Sequence, residues 1–194
     1  MRASTGKPRS RPGAAVSILA ALAGAPVLAQ PAFEPDAPSL AIDEVGLYIP
    51  GYAYRGKPQV SLPIGWSGTD DLSGTTLASQ GIVGERRAVL LHCPWHGGTG
   101  IGFQQFRIAL PRASRILLRG ATALRAEAVG KSDGSVFRIF AGGRKVLEEL
   151  RADGIWKDFS IDLTAQGGTT VIVRFENDPG PRDDSSWDHA LWAD

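Results

Sequence analysis

Ser135-Val136-Phe137-Arg138-Ile139-Phe140-Ala141 repeats with a period of two. Phe137 and Ile139 fall on one side of an extended segment and Val136, Arg138 and Phe140 on the other, because successive side chains of a strand point to opposite faces. Asp133-Gly134 just before it is a tight-turn signal. The rhythm returns downstream, where Phe159, Ile161 and Leu163 alternate with Ser160 and Asp162. It returns again where Val171, Val173 and Phe175 alternate with Ile172, Arg174 and Glu176. Upstream, residues 88–92, 103–110 and 115–124 read as further short strands, each bounded by Gly, Pro, Asp or Ser. Residues 145–152 fit either a short helix, with Val146, Leu147 and Leu150 on one side, or a strand between Gly142-Gly143 and Asp153-Gly154. Residues 41–84 are vaguer, with apolar pieces at 45–49 and 60–64 and turn chemistry at Ser67-Gly68 and Ser73-Gly74. Many short strands with one-sided burial, and no internal repeat, predict an all-β fold: an antiparallel β-sandwich of jelly-roll type.

The first thirty residues differ in kind. Arg2, Lys7, Arg9 and Arg11 make a basic start, and residues 14–25 are apolar apart from Ser17 and Gly24. That order predicts a secretory signal peptide over residues 1–29, cleaved before Gln30. The apolar run is too short to span a bilayer comfortably. Ser10 separates Arg9 from Arg11, so an adjacent arginine pair for twin-arginine export is missing there. Residues 30–40 carry Pro31, Pro35 and Pro38 and read as a linker, leaving 41–194 as the folded module. The expected location is secreted or periplasmic. With 21 basic and 20 acidic side chains in 194 residues, the charge is balanced, so neither nucleic acid nor, after leader cleavage, a membrane is the expected partner. The one cysteine, Cys93, cannot close an internal disulfide and reads as a small buried residue, with a reactive thiol as the alternative.

Two segments carry candidate chemistry. The first is His92-Cys93-Pro94-Trp95-His96-Gly97-Gly98-Thr99-Gly100. Its imidazoles and thiol are zinc- or copper-type ligands, but Pro94 stiffens the turn and His189 is far along the chain. A Trp at a strand end beside polar groups suits a sugar platform, since an indole face packs on pyranose C–H bonds while its neighbours take hydroxyls. The glycines at 98, 100 and 102 lack the Lys-Ser or Lys-Thr ending of a phosphate loop. The second segment is the acidic tail from Glu176 to Asp194. Loops rich in Asp, Asn and Gly supply the hard oxygens calcium needs, and Asp183, Asp184, Asp188 and Asp194 are the expected ligands of a structural ion. Asp133, Asp158, Asp162 and Glu176 show no spacing that pairs them for glycoside hydrolysis, and no GxSxG motif is present.

Asp188-His189-Ala190-Leu191-Trp192-Ala193-Asp194 resembles the Asp-His-Ala-Asp-Trp-Ala-Asp ending of the NPCBM family, the family 51 carbohydrate-binding modules found attached to glycoside hydrolases. Residues 131–143 resemble that family's glycine-bearing turn before a Ser-Val-x-Phe-x-Val strand, and Leu91-His92-Cys93-Pro94 falls where it has a Gly-x-His-Ala turn. The resemblance covers about residues 60–194. It implies a galactose-binding-like jelly roll, commonly with a structural calcium. Leu191 stands where the motif has Asp, and residues 179–184 depart from the usual Gly-Asp-Gly-Asn text. Those modules often continue a little beyond the position of Asp194, so a C-terminal truncation is expected.

Together these readings predict a secreted, non-catalytic carbohydrate-binding module ancillary to an attached or partner glycoside hydrolase. Trp95, His96, Arg182 and Trp187 are the expected ligand-binding residues. The alternatives are a structural or protein-interaction sandwich without a sugar site, and a glycan-active hydrolase or lyase on the same sandwich.

Overall fold

The computed structural model describes Ile42 and residues 46–194. The leader expected over 1–29 and the linker over 30–40 lie outside the described residues. Among those described, no helix is long and apolar enough to cross a membrane.

Among the described residues, twelve strands form two antiparallel sheets of six. They are β1 (Gly46–Tyr54), β2 (Val60–Ser61), β3 (Gly68–Thr69), β4 (Thr76–Val83), β5 (Arg86–His92) and β6 (Gly100–Ala109). There follow β7 (Leu117–Leu124), β8 (Ser135–Ala141), β9 (Arg144–Arg151), β10 (Lys157–Asp162), β11 (Thr170–Pro179) and β12 (Ala190–Ala193). One sheet runs β2-β1-β6-β11-β8-β9 and the other β10-β7-β12-β5-β4-β3. From β5 to β8 and again from β9 to β12 the chain changes sheet at every connection, which is the jelly-roll winding.

The period-two stretches supply the inner faces. Along β8 the odd-numbered residues 135–141 are buried and the even ones are not. Phe137 and Ile139 are wholly buried, opposite Trp192 of β12, whose ring meets Phe137 at 5.0 Å and Phe175 at 5.2 Å. Each such side chain contributes about 1.5–3 kcal/mol by leaving water. Residues 144–151 form a strand, because Gly142 (φ +58°) and Gly143 (φ +79°) make the left-handed two-residue turn that returns β9 along β8. β12 lies between β5 and β7. All four of its residues are buried, so its text shows no alternation.

Buried polar groups tie the sheets together near one end of β5 and β11. Ser135 Oγ donates to Asn177 Oδ1 at 2.7 Å, and Asn177 Nδ2 donates to the Cys93 sulfur at 3.1 Å. Cys93 is fully buried, as expected of a small buried residue, and burial pushes its thiol pKa well up. On the outer side of β11, Arg55 grips Asp178 with both terminal nitrogens (2.9 and 2.7 Å) and reaches Asp183 through Nε at 2.8 Å. Arg138 meets Asp178 at 2.6 Å. Burial would raise the Asp178 pKa, but Arg55 and Arg138 outweigh it and hold the carboxyl low. Arg55 thereby fastens the start of the β11–β12 loop to the end of β1.

Candidate functional site

Two loops rise beside each other at that end, residues 93–99 between β5 and β6 and residues 180–189 between β11 and β12. Between them lies an open cleft of about 390 Å³. Leu90 and His92 of β5 and Thr76 of β4 belong to its lining, with Trp95 on one side and Ser185, Ser186, Trp187 and His189 on the other. The two tryptophans singled out in the sequence are therefore brought together, and they remain 51% and 42% exposed. The other three are accounted for elsewhere: Trp192 is core, Trp66 packs partly buried against that core, and Trp156 packs partly buried against a separate small cluster of Ala88, Ala121 and Ala193.

The Trp95 side is held by backbone. Trp95 N–H and His96 N–H both donate to the Ser73 carbonyl, at 2.8 and 2.9 Å. Ser73 is itself fixed, because Asp70 Oδ2 accepts from its N–H and its hydroxyl. Tyr54 donates its phenol proton to the His96 carbonyl at 2.7 Å. The His96 ring sits 3.6 Å from the Trp95 ring, centroid to centroid, and does not belong to the cleft lining. Gly97 and Gly98 take positive φ against the Tyr54 ring and turn the chain, whereas Gly100 and Gly102 already belong to β6.

The Trp187 side is built differently. Trp187 has φ +65°, a conformation a bulky residue rarely adopts. The Lys131 ammonium stands 3.8 Å above its ring, and the His189 ring lies 5.6 Å away. Arg182 is exposed and its backbone N–H donates to Asp133 Oδ2 at 2.8 Å. It does not line the cleft.

Histidines form part of the lining. His92 and His189, distant in sequence, stand 5.3 Å apart edge to face. His92 Nδ1 lies 2.7 Å from the Cys93 carbonyl, so that nitrogen carries the proton and Nε2 is the acceptor. Burial lowers the His92 pKa, with the Cys93 carbonyl opposing and His189 reinforcing the shift. Burial also lowers that of His189, helped by the charge of Arg125. Both imidazoles are neutral near pH 7.

The four acids expected to hold calcium do not converge. Asp183 pairs with Arg55 at 2.7 Å and Asp194 with Arg86 at 2.5 Å, while Asp184 accepts from Ser186 N–H at 3.0 Å. Asp188 is wholly buried and accepts from Ser132 Oγ at 2.6 Å. Among the described residues no three His, Cys, Asp or Glu side chains gather as a metal-holding group. Yet Asp188 Oδ2 and Asp133 Oδ1 are both buried without a hydrogen-bond partner. Burial, with the charges of Asp133 and Asp184, pushes the Asp188 pKa up to about 7, against the Ser132 hydroxyl and the Gly180 backbone.

Of the lining residues the sequence reading named Trp95 and Trp187 as ligand-binding and missed Thr76, Leu90, His92, Ser185, Ser186 and His189. His189 carried a signal, as an imidazole in the recognisable tail, but nothing in its position announced His92 as its neighbour.

No protein-family model matches the chain. An uncharacterized protein of Archaeoglobus fulgidus is 44% identical over 39 residues, 20% of this chain, so the chain spans about a tenth (10%) of the length of that curated relative. Among solved structures, the chain is similar to CBM51 from Clostridium perfringens GH95 in complex with methyl-galactose, with a TM-score of 0.41 at 11% identity over 75% of this chain and 77% of that one. It is similar also to CBM51-2 and INT domains from Clostridium perfringens ZmpB, with a TM-score of 0.39 at 11% identity, over 75% of this chain and 24% of that one. The same pair of domains in complex with GlcNAc gives 0.40 at 14% identity, over 71% of this chain and 33% of that one.

Proposed function

We propose that the chain binds carbohydrate in the cleft between Trp95 and Trp187, with no chemistry of its own. The observation that carries this reading is an exposed, backbone-held indole facing a lining of hydroxyls and neutral imidazoles. An indole face takes the C–H side of a pyranose, and Ser185, Ser186, Thr76 and the His92 Nε2 acceptor offer partners for its hydroxyls. The cleft lining holds no Asp or Glu, so it offers no acid–base pair for glycoside hydrolysis. Exposure of both cleft tryptophans favours binding over a purely structural sandwich. Export to the periplasm or beyond, and service to an attached or partner glycoside hydrolase through effective concentration, complete the proposal.

Glycan-array binding tests it. Wild type is expected to bind a defined set of glycans, and Trp95→Ala to lose them with an unchanged β-type circular dichroism spectrum. Unchanged binding by that variant would reject Trp95 as the platform.

A structural calcium belongs to the same proposal. Two buried carboxylate oxygens without donors, on Asp133 and Asp188, suit a cation better than they suit each other. These residues would hold the ion, with backbone carbonyls of the loop, and the ion would neutralise the pair and brace the Trp187 side. Chelator should then lower the melting temperature, because an ion bound only by the folded form stabilises by mass action. An identical melt with and without chelator would remove calcium from the proposal.

A further inference from the structure

We infer that Gly74 is the positioning residue of the Trp95 face: the turn over residues 70–74, outside the loop that carries the tryptophan, sets the plane of its indole. Gly74 is buried, with φ +73°. A Cβ built on it would lie 2.5 Å from Trp95 Nε1, 2.6 Å from Cε2 and 2.7 Å from Cδ1. Real side chains never approach so closely, so the pyrrole edge of the indole rests on bare backbone and leaves no room for a methyl group. The turn beneath cannot yield easily. Gly74 N–H donates to the Asp70 carbonyl at 2.7 Å, Asp70 N–H to the Thr75 carbonyl at 2.9 Å, and Asp70 Oδ2 secures Ser73 twice. The Ser73 carbonyl in turn holds the backbone of Trp95 and His96. The turn therefore grips the tryptophan at its peptide and at its ring.

The geometry also divides labour within the cleft. With Nε1 turned against Gly74, a ligand meets the carbon surface of the indole, and its hydrogen bonds come from the Ser185–His189 side and from His92. This last step rests on the sugar-binding reading; the coupling of Gly74 to Trp95 does not.

A control for backbone strain exists in the same molecule. Gly65 has φ +72° and no atom within 4 Å of a built Cβ. Gly65→Ala therefore measures the cost of a left-handed alanine alone, a Tm drop of about 5 °C. Gly74→Ala adds the indole collision and should drop Tm at least twice as far, or swing the ring out and raise acrylamide quenching of Trp95. The Trp95 signal is isolated as the difference between each protein and its Trp95→Ala counterpart. In the Trp95→Ala background, Gly74→Ala should cost no more than Gly65→Ala does. If Gly74→Ala alone fails to fold, Gly74→Ala with Trp95→Ala should fold.

The inference is overturned if Gly74→Ala matches Gly65→Ala in both Tm and Trp95 quenching, or if its excess cost persists, or folding stays lost, once the indole is gone. For a glycan identified on the array, Gly74→Ala should weaken binding about tenfold while Gly65→Ala leaves it unchanged. Coupling without any glycan bound by wild type would sink the sugar reading and leave the positioning intact.

Discussion

Trp95 and Trp187 face one cleft, yet they stand on different footings. Trp95 lies on the backbone of residues 73–74 and is held by hydrogen bonds between peptide groups, which do not titrate. Trp187 sits in a left-handed conformation under the Lys131 ammonium, beside His189 and directly before Asp188, whose carboxyl is buried near Asp133. One wall is tied down chiefly by peptide groups; the other stands directly beside a buried carboxyl whose pKa is raised. The two sides of the cleft can therefore be tested separately, through the backbone turn under Trp95 and the buried acid beside Trp187.

The largest effect is expected at the footing of the Trp187 wall. The Asp188 pKa is raised to about 7, so the fold keeps a proton that the unfolded chain gives up from near the ordinary carboxyl value upward. Without divalent cation, stability should fall as pH rises from about 4 to 7, by a few kcal/mol at most, and then level off. Asp188→Asn should flatten that fall and abolish any protection by calcium, as read from melts across pH with chelator and with the ion. A slope unchanged in Asp188→Asn would separate this wall from its acid footing.

The second prediction sets the walls against each other. On a glycan that wild type binds, Trp95→Ala should cost about 2 kcal/mol or more and Trp187→Ala about 1, because Trp187 already shares its ring with Lys131 and His189. Calorimetry on the two variants decides; equal losses would mean that the walls are equivalent after all.

Third come the histidines. Both pKa values are lowered, so each group supports the fold fully above the ordinary imidazole value of about 6.5 and withdraws that support as pH falls below it. Acidification thus weakens the protein through His92 and His189 while it relieves Asp188. His92→Gln with His189→Gln should leave the Asp188 trend alone in the melting curve. A double variant that loses stability on acidification just as wild type does would contradict the assignment.

The smallest effect concerns Lys131→Ala. An exposed cation on an indole contributes about 0.5–1 kcal/mol, so a Tm loss of about 2 °C is expected, without change at Trp95. A shift in Trp95 quenching in this variant would show that the walls communicate.

Much of the sandwich could be read directly, because a strand with one buried face writes its alternation into the text, as β8 and β11 do. Other strands were harder to read, for identifiable reasons. β4 carries a register shift between Ser79 and Gly81, which breaks the period. β9 forms a sheet edge and is largely unburied, so its text left a short helix open beside the strand that is found. β12 is buried on both faces within a four-residue span and offers no alternation at all. At the site, Trp95 and Trp187 were marked by type and by their loops. Arg182 and His96 were marked likewise, and both lie outside the cleft lining.

The chain by itself determined its fold class, the places where it turns and the aromatic and acidic residues its loops present, because alternation, glycine and side-chain chemistry are local properties. Tertiary structure alone decided that His189 meets His92, that the charge of Asp133 acts on Asp188, and that a glycine noted only as a turn carries the indole of Trp95. Those are contacts between segments far apart in sequence. Their geometry is set by how two packed sheets bring their loops to one end, and no local pattern encodes it.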